Sequence, residues 1–277
     1  MKTALKRTLL STLVVPFALG ASVASADLIN EWAYDVDSNF TNVTFTAPDG
    51  DNDGTTNVGD NLVSWGGDDA EERSSVAIED VVGGTGLMTN GAAKAGGTFT
   101  HDNNIISADY ITLTGFDLTS TLTLTPTDPA GPALPSTSIT FMSFFSETLN
   151  RDNPADCGFA STSGCDDIFT IDNFDDLGAV PTGDGGFEFV SSFILQDYKY
   201  TVFLELAGLS VLGDNACLEA GAQIGCVGLL TEEDALNEFN SSFRITASKV
   251  PEPGTLALLG LGLAGLGLSR RRKAAKA

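Results

Sequence analysis

Segments in which apolar and polar residues alternate are the feature that most constrains the fold of this chain. From Tyr198 to Leu206, every second residue is Tyr, Val or Leu, with Lys, Thr, Phe and Glu between them. A period of two is typical of a β-strand that buries one face. Shorter segments of the same kind occur at Ile111/Leu113, Leu122/Leu124, Ile139/Phe141, Phe187/Phe189 and Phe243/Ile245.

Clusters of Gly, Pro, Asn and Asp separate these segments, at residues 48–60, 83–97, 126–136, 150–165 and 181–186. These residue types favour turns. Many short strands joined by turns predict an all-β fold, an antiparallel β-sandwich of jelly-roll-like type. Between the two termini, only Thr231–Phe239 has a helical pattern, with Thr231 as a cap and Asp234 three residues later.

The N-terminus has the layout of a secretory signal. Basic residues precede an apolar run from Leu9 to Leu19, and Ala24 and Ala26 supply the small side chains that signal peptidase requires. We therefore predict a signal helix over residues 1–26, cleaved before Asp27. An uncleaved anchor is the alternative, although the apolar run is short for a membrane span.

The C-terminus combines three features in a fixed order. A Pro-Glu-Pro motif is followed by an uncharged run over residues 255–268 and then by basic residues. The run predicts an apolar helix, but it is shorter than the ~20 residues that comfortably span a bilayer. The basic cluster fits retention on the cytoplasmic side of the inner membrane. The residues are Pro251, Glu252 and Pro253, then Arg270, Arg271, Arg272 and Lys273.

This tail resembles the PEP-CTERM sorting domain of exopolysaccharide-producing Gram-negative bacteria, over residues 251–253, 256–268 and 270–273. The resemblance implies that residues 250–277 are a sorting tail, processed near its motif by an exosortase-like membrane transpeptidase. The tail helix would anchor the chain to the inner membrane only transiently, before delivery to the cell surface or beyond. The exported domain would be residues 27–249.

Charge is distributed unevenly along the chain. Only six of the 14 Lys and Arg residues, but 36 of the 37 Asp and Glu residues, lie between positions 27 and 250, so this span carries 6 − 36 = −30 charges. Such an acidic domain excludes nucleic acid as a partner, because that binding needs Lys and Arg to neutralise phosphates. It would instead attract cations or basic partners.

Four cysteines form two local pairs. Cys157 and Cys165 are separated by a short loop, as are Cys217 and Cys226. An exported protein meets an oxidising compartment, so an even number of cysteines favours disulfides. We predict Cys157–Cys165 and Cys217–Cys226, with a zinc site as the alternative.

One acidic loop has the spacing of a calcium-binding loop. Counting Asp49 as position 1, carboxylates occupy positions 3, 5 and 12, at Asp51, Asp53 and Asp60, and Gly54 occupies position 6. Hard oxygen ligands and a glycine turn at these positions suit Ca²⁺. Calcium is therefore the one cofactor that the sequence predicts, and an acidic turn between strands is the alternative.

The second motif follows a glycine-rich stretch. Thr100, His101 and Asn103 match the motif of the THxN family of PEP-CTERM proteins, which the chain resembles. A histidine among polar neighbours fits a ligand or a base, or a turn fixed by side-chain-to-backbone bonds. The family implies no catalytic activity.

These observations predict an exported, noncatalytic protein of the cell surface or extracellular matrix, associated with exopolysaccharide. One alternative is a carbohydrate-binding module, assisted by calcium, for which Trp32, Trp65 and the tyrosines would supply stacking surfaces. Another is a secreted hydrolase that uses two carboxylates.

Overall fold

The computed structural model describes residues 27–46, 54–182 and 186–250, together with 260, 262 and 263. In these ranges the regular secondary structure is mainly β-strand. The strands are β1 (Glu31–Phe45), β2 (Thr55–Val58), β3 (Leu62–Gly66), β4 (Arg73–Ile78), β5 (Val81–Met88), β6 (Lys94–Asn103), β7 (Leu113–Asp128), β8 (Thr137–Ser146), β9 (Asp167–Ile171), β10 (Ala179–Pro181), β11 (Phe187–Leu195), β12 (Tyr198–Leu206), β13 (Ser210–Val211), β14 (Val227–Thr231) and β15 (Ala235–Lys249). The helix α1 spans Asp214–Glu219, and 3₁₀ turns occupy Ala70–Glu72, Pro154–Asp156 and Phe174–Leu177.

The strands form two antiparallel sheets. One has seven strands in the order β13-β14-β9-β8-β7-β1-β5, and the other has eight in the order β10-β11-β12-β15-β6-β4-β3-β2. The predicted all-β, antiparallel β-sandwich is therefore confirmed. The strand order contains the meanders β2-β3-β4, β7-β8-β9 and β10-β11-β12. It thus differs from the eight-strand, double Greek-key order of a jelly roll.

The core lies between the two sheets, where the alternation along β1 shows how it is built. Trp32, Tyr34, Val36, Ser38 and Phe40 are buried, with exposed or half-buried residues between them. A second set of buried side chains, around Phe99, joins strands of both sheets. Burial of each large apolar side chain stabilises the fold by ~1.5–3 kcal/mol.

Most of the strand predictions are confirmed. The strand β12 has the bounds that the alternation predicts, Tyr198–Leu206. The shorter alternating segments lie in β7, β8, β11 and β15, although Ile111 precedes its strand.

The helix predicted at Thr231–Phe239 is wrong, because this segment ends β14 and begins β15. Asp234 has the left-handed backbone of a tight turn, with φ of 52°. The Asn237 side chain closes this turn by accepting from the N–H of Glu232 and donating to its carbonyl. Long antiparallel pairing of β15 with β6 and β12 outweighs the weak local helical preference.

The flanking signal helix and C-terminal helix find no support. Residues 1–26 lie outside the described residues, and so does the tail from 251 onward apart from Gly260, Gly262 and Leu263, which have helical backbone. No helix within the described ranges is both long enough and apolar enough to cross a membrane.

Candidate functional site

The Thr-His-x-Asn motif lies at the end of β6, between β4 and β15. Because side chains alternate along a strand, His101 and Asn103 point into the sandwich and are fully buried. Thr100 is half-buried and Asp102 is exposed. The motif therefore presents its imidazole and amide to the protein interior.

His101 sits in an aromatic cage. Its ring stacks on Trp65 at a centroid distance of 5.7 Å, and Phe145 and Phe169 meet it edge-on at 5.4 and 5.2 Å. Its Nδ1 lies 2.9 Å from Thr231 Oγ1, which itself donates to the carbonyl of Asp167. Because that hydroxyl donates elsewhere, Nδ1 of His101 is the donor in the pair.

Burial lowers the pKa of His101 to about 3. The imidazole is therefore neutral at physiological pH, since its charged form would lose hydration without gaining a counterion. Its Nε2 has no hydrogen-bond partner within the part of the chain that the structure describes. The sequence left open whether this histidine is a ligand, a base or a turn-former, and the structure places it as a buried member of the core.

Three carboxyl groups lie beside the motif, and we call them the acid cluster: Glu147, Asp167 and Glu233. Glu147 directly follows β8, Asp167 begins β9, and Glu233 lies in the turn between β14 and β15. All three residues are largely buried. The ends of neighbouring strands thus gather side chains that are far apart along the chain.

Few hydrogen-bond donors reach the acid cluster. Trp65 Nε1 donates to Glu147 Oε2 at 3.0 Å, and the N–H of Thr148 donates to Asp167 Oδ1 at 2.8 Å. Asn103 Nδ2 donates to Glu233 Oε1 at 3.2 Å. The carboxyl of Asp167 also shares a side-chain hydrogen bond with Glu233. Among the described residues, Oε1 of Glu147 and Oδ1 of Asn103 have no hydrogen-bond partner.

Burial is the main cause of high pKa values in the cluster. It raises the pKa of Glu147 to about 8, against the hydrogen bond from Trp65 and with help from the charge of Glu233. It raises the pKa of Asp167 well above its usual value, and the charges of Glu147 and Glu233 add to this rise. It raises the pKa of Glu233 to about 7. Close carboxyls without a counterion therefore retain protons near neutral pH.

Both predicted disulfides are present. Cys157–Cys165 and Cys217–Cys226 have Cα–Cα distances of 5.2 and 5.7 Å. The first loop borders the acid cluster, because Thr148 Oγ1 donates to the carbonyl of Cys165. The second ties α1 to the start of β14.

The other predicted site residues lie elsewhere. Asp49, Asp51 and Asp53 are outside the described residues, whereas Asp60 is exposed in the turn between β2 and β3. The calcium loop therefore stays a prediction. Within the described part of the chain, no three His, Cys, Asp or Glu side chains already form a metal-binding group. Of the predicted cleavage residues, only Asp27 is described, and it is exposed.

Two further features bear on ligand binding. Trp32 and Trp65 are fully buried, so neither is available to stack on a sugar. A cavity of about 660 Å³ lies between the sheets, lined by apolar side chains such as Leu124, Phe141 and Phe193 and by several serines and threonines. No charged residue lines this cavity among the described residues.

The sequence identified part of this site and missed the rest. It singled out His101, Asn103 and the Cys157–Cys165 loop, but not Glu147 or Glu233. No local pattern marks those two acids, since only strand register brings them to Asn103 and Asp167.

Comparison with known proteins identifies the tail. Residues 249–273 match the PEP-CTERM protein-sorting motif. This motif indicates a secreted protein that is sorted to the cell surface, and it implies a processing partner of the exosortase type. No curated protein and no solved structure matches the chain.

Proposed function

We propose that this chain is a noncatalytic protein of the cell surface or extracellular matrix, associated with exopolysaccharide and belonging to the THxN group of PEP-CTERM proteins. The observation that carries the proposal is the sorting motif at residues 249–273. The exported span adds support, because its net charge of 6 − 36 = −30 keeps a secreted domain well hydrated and apart from other copies.

In this proposal the tail acts as a temporary anchor. Its apolar run holds the precursor at the inner membrane, and Arg270, Arg271 and Arg272 remain on the cytoplasmic side. An exosortase-like transpeptidase then cuts near Pro251–Pro253 and frees the sandwich for the surface. Residues 254–267 contain five glycines. Glycine weakens a helix, so the run is poorly suited to serve as a permanent membrane anchor.

The noncatalytic assignment is supported by where the clustered carboxyls lie. Glycoside hydrolysis needs two carboxyl groups on either side of an accessible bond, whereas Glu147 and Asp167 are buried between strand ends. A carbohydrate-binding role receives less support, because both tryptophans are buried.

The experiment is to follow the chain in its native host with the tail intact, truncated after Lys249, or with Arg270, Arg271 and Arg272 changed to alanine. We expect the intact chain to reach the surface fraction in a shortened form. The arginine variant should lose processing, and the truncated chain should leave without being sorted. Equal surface amounts and equal lengths of mature protein for the intact and arginine-variant chains would refute sorting by the tail.

A further inference from the structure

The cavity between the two sheets is a space that the side chains of the core do not fill. Its volume is about 660 Å³, whereas protein interiors contain few voids larger than a water molecule. Pockets that bind small molecules have volumes of about 300–1,000 Å³ and mostly apolar walls. In both its size and its wall, this cavity resembles a ligand pocket more than a gap in packing.

Small residues leave the cavity open where two parts of the core would otherwise meet. One part is built around Phe99 and the other around Trp32. At the boundary between these parts, the cavity is lined by Ser120 on β7, Ser241 on β15 and Gly96 on β6. The sequence thus has serine and glycine at the positions where large apolar side chains would close the space.

The two serines do not need a polar ligand. The hydroxyls of Ser120 and Ser38 hydrogen-bond to each other at 2.9 Å, and Ser241 Oγ donates to the carbonyl of Gly97 at 2.9 Å. In the part of the chain that the structure describes, the wall contains no charged residue. A charged group inside the cavity would therefore lose its hydration without gaining a partner. The wall suits a hydrocarbon.

The cavity is long and narrow. Alternate residues of β7 from Phe116 to Leu124 line it, and these eight steps along the strand cover about 26 Å at ~3.3 Å per residue. The two sheets of a sandwich lie only about 10 Å apart. A linear hydrocarbon chain fits this shape better than a compact ligand such as a sugar ring.

The cavity opens on one side of the sandwich. β9 pairs with β8 only over Ser143–Ser146, and β10 pairs with β11 only over Phe187–Phe189. Among the described residues, the first half of β8 and the second half of β11 therefore have a partner strand on one side only. The exposed residues that line the cavity all lie in these two segments or just before β8, and they form its mouth: Pro135, Ser136, Thr137, Ser138, Ser191 and Ile194.

We propose that this cavity binds one single-chain lipid with an uncharged head group. The hydrocarbon chain lies between the sheets along β7, and the head group stays at the mouth, where the side chains of Thr137 and Ser191 are exposed. The net charge of 6 − 36 = −30 over the exported span disfavours an anionic head group. The site lies outside the sorting tail, and lipid binding goes beyond the proposed delivery to the surface.

The test uses the protein purified from its native host with both disulfides intact. Extraction with organic solvent and mass spectrometry identify a lipid that is already bound. After removal of lipid, binding of the uncharged fluorescent probe N-phenyl-1-naphthylamine is measured, and dodecanol and dodecanoate compete with it. Thermal unfolding with and without dodecanol is the second readout, because a ligand that binds only the folded chain stabilises it.

Two pairs of variants add the same bulk inside and outside the cavity. Ser191 and Ser192 are adjacent and exposed on β11, but only Ser191 lines the cavity, so Ser191→Trp is compared with Ser192→Trp. Val202 and Thr201 are adjacent and half-buried on β12, and only Val202 lines the cavity, so Val202→Phe is compared with Thr201→Phe. Circular dichroism checks that each variant is folded.

We expect the wild type, Ser192→Trp and Thr201→Phe to bind the probe with similar dissociation constants. Ser191→Trp and Val202→Phe should weaken probe binding by about tenfold or more and should lose the stabilisation by dodecanol. Dodecanol should displace the probe at a lower concentration than dodecanoate does. If Val202→Phe does not fold, Ser191→Trp decides the test, because Ser191 is exposed and its replacement leaves the core intact.

Several results would overturn the proposal. One is no probe binding by the lipid-free wild type, and another is equal weakening by Ser191→Trp and Ser192→Trp. Stronger competition by dodecanoate would contradict the uncharged head group. Probe binding by a chain truncated after Lys249, without binding by a chain that keeps its tail, would assign the cavity to the apolar run over residues 255–268 instead of a lipid.

Discussion

Replacing Trp65 with phenylalanine removes the one hydrogen bond described for the Glu147 side chain. Trp65 is fully buried, and its Nε1 donates to Glu147 Oε2 at 3.0 Å. A hydrogen bond to a charged group contributes about 1.5–3 kcal/mol, and one between neutral groups contributes about 1 kcal/mol. The smaller ring also leaves a cavity, which costs on the order of 1–2 kcal/mol.

Trp32→Phe is the matched control. Trp32 is equally buried, and its Nε1 donates to the hydroxyl of Thr89 at 2.9 Å. That hydroxyl still donates to the carbonyl of Ile29 after the change. The two variants lose the same side-chain volume. The difference between their losses of unfolding free energy therefore isolates the hydrogen bond to the carboxyl of Glu147.

The assay is equilibrium unfolding in urea with EDTA present, followed by circular dichroism. The pKa of Glu147 is raised to about 8, so near pH 9.5 the carboxyl is largely ionised, and near pH 6 it holds its proton. We expect Trp65→Phe to lower the free energy of unfolding by about 1–2 kcal/mol more than Trp32→Phe does near pH 9.5, and by less than about 0.5 kcal/mol more near pH 6. Equal losses at both pH values, or a larger gap near pH 6, would refute a buried Glu147 that changes charge in this range.

Three further predictions concern other parts of the fold. Burial lowers the pKa of His101 from 6.5 to about 3. As pH falls below 6.5, this histidine therefore gains a proton in the unfolded chain before it does in the folded chain, and the free energy of unfolding decreases until about pH 3. The free energy of unfolding of the wild type relative to His101→Gln should fall by about 1.4 kcal/mol per pH unit in this window; parallel pH profiles would contradict it. Cys217→Ser/Cys226→Ser should cost about 2–3 kcal/mol in urea unfolding, because the cross-link restricts the unfolded chain, and an unchanged midpoint would argue against it. Arg244→Ala should cost about 1 kcal/mol, since its ion pair with Glu188 is bidentate but partly exposed; Arg244→Lys should recover only part of this loss, and full recovery would show that the paired geometry does not matter.

Much of the fold could be predicted because the relevant signals are local. Period-two alternation defined the bounds of β12, and short cysteine spacing predicted both disulfides. The helix prediction for Thr231–Phe239 was wrong because it used a local pattern. The structure of this segment is decided by the pairing of β15 with β6, which lie far apart in the sequence. The sorting tail could be predicted because three features occur together within about 25 residues.

The candidate site could be predicted only in part. His101 and Asn103 belong to a recognisable motif, but Glu147 and Glu233 are two acids among 36 in the exported span. Nothing near either residue in the sequence distinguishes it from an exposed acid. Their burial follows from sheet register and from strand ends that meet in space, which are properties of the whole sandwich.

Export followed by cleavage at the tail can be measured through the intact mass of the protein from the surface and medium of its native host. We expect a chain that begins at Asp27 and ends near Pro251–Pro253, without Arg270, Arg271 and Arg272. In a host that lacks its exosortase-type enzyme, the tail should be retained. A mass that corresponds to Asp27 through Ala277 in the normal host would contradict processing and leave a protein with an uncut tail.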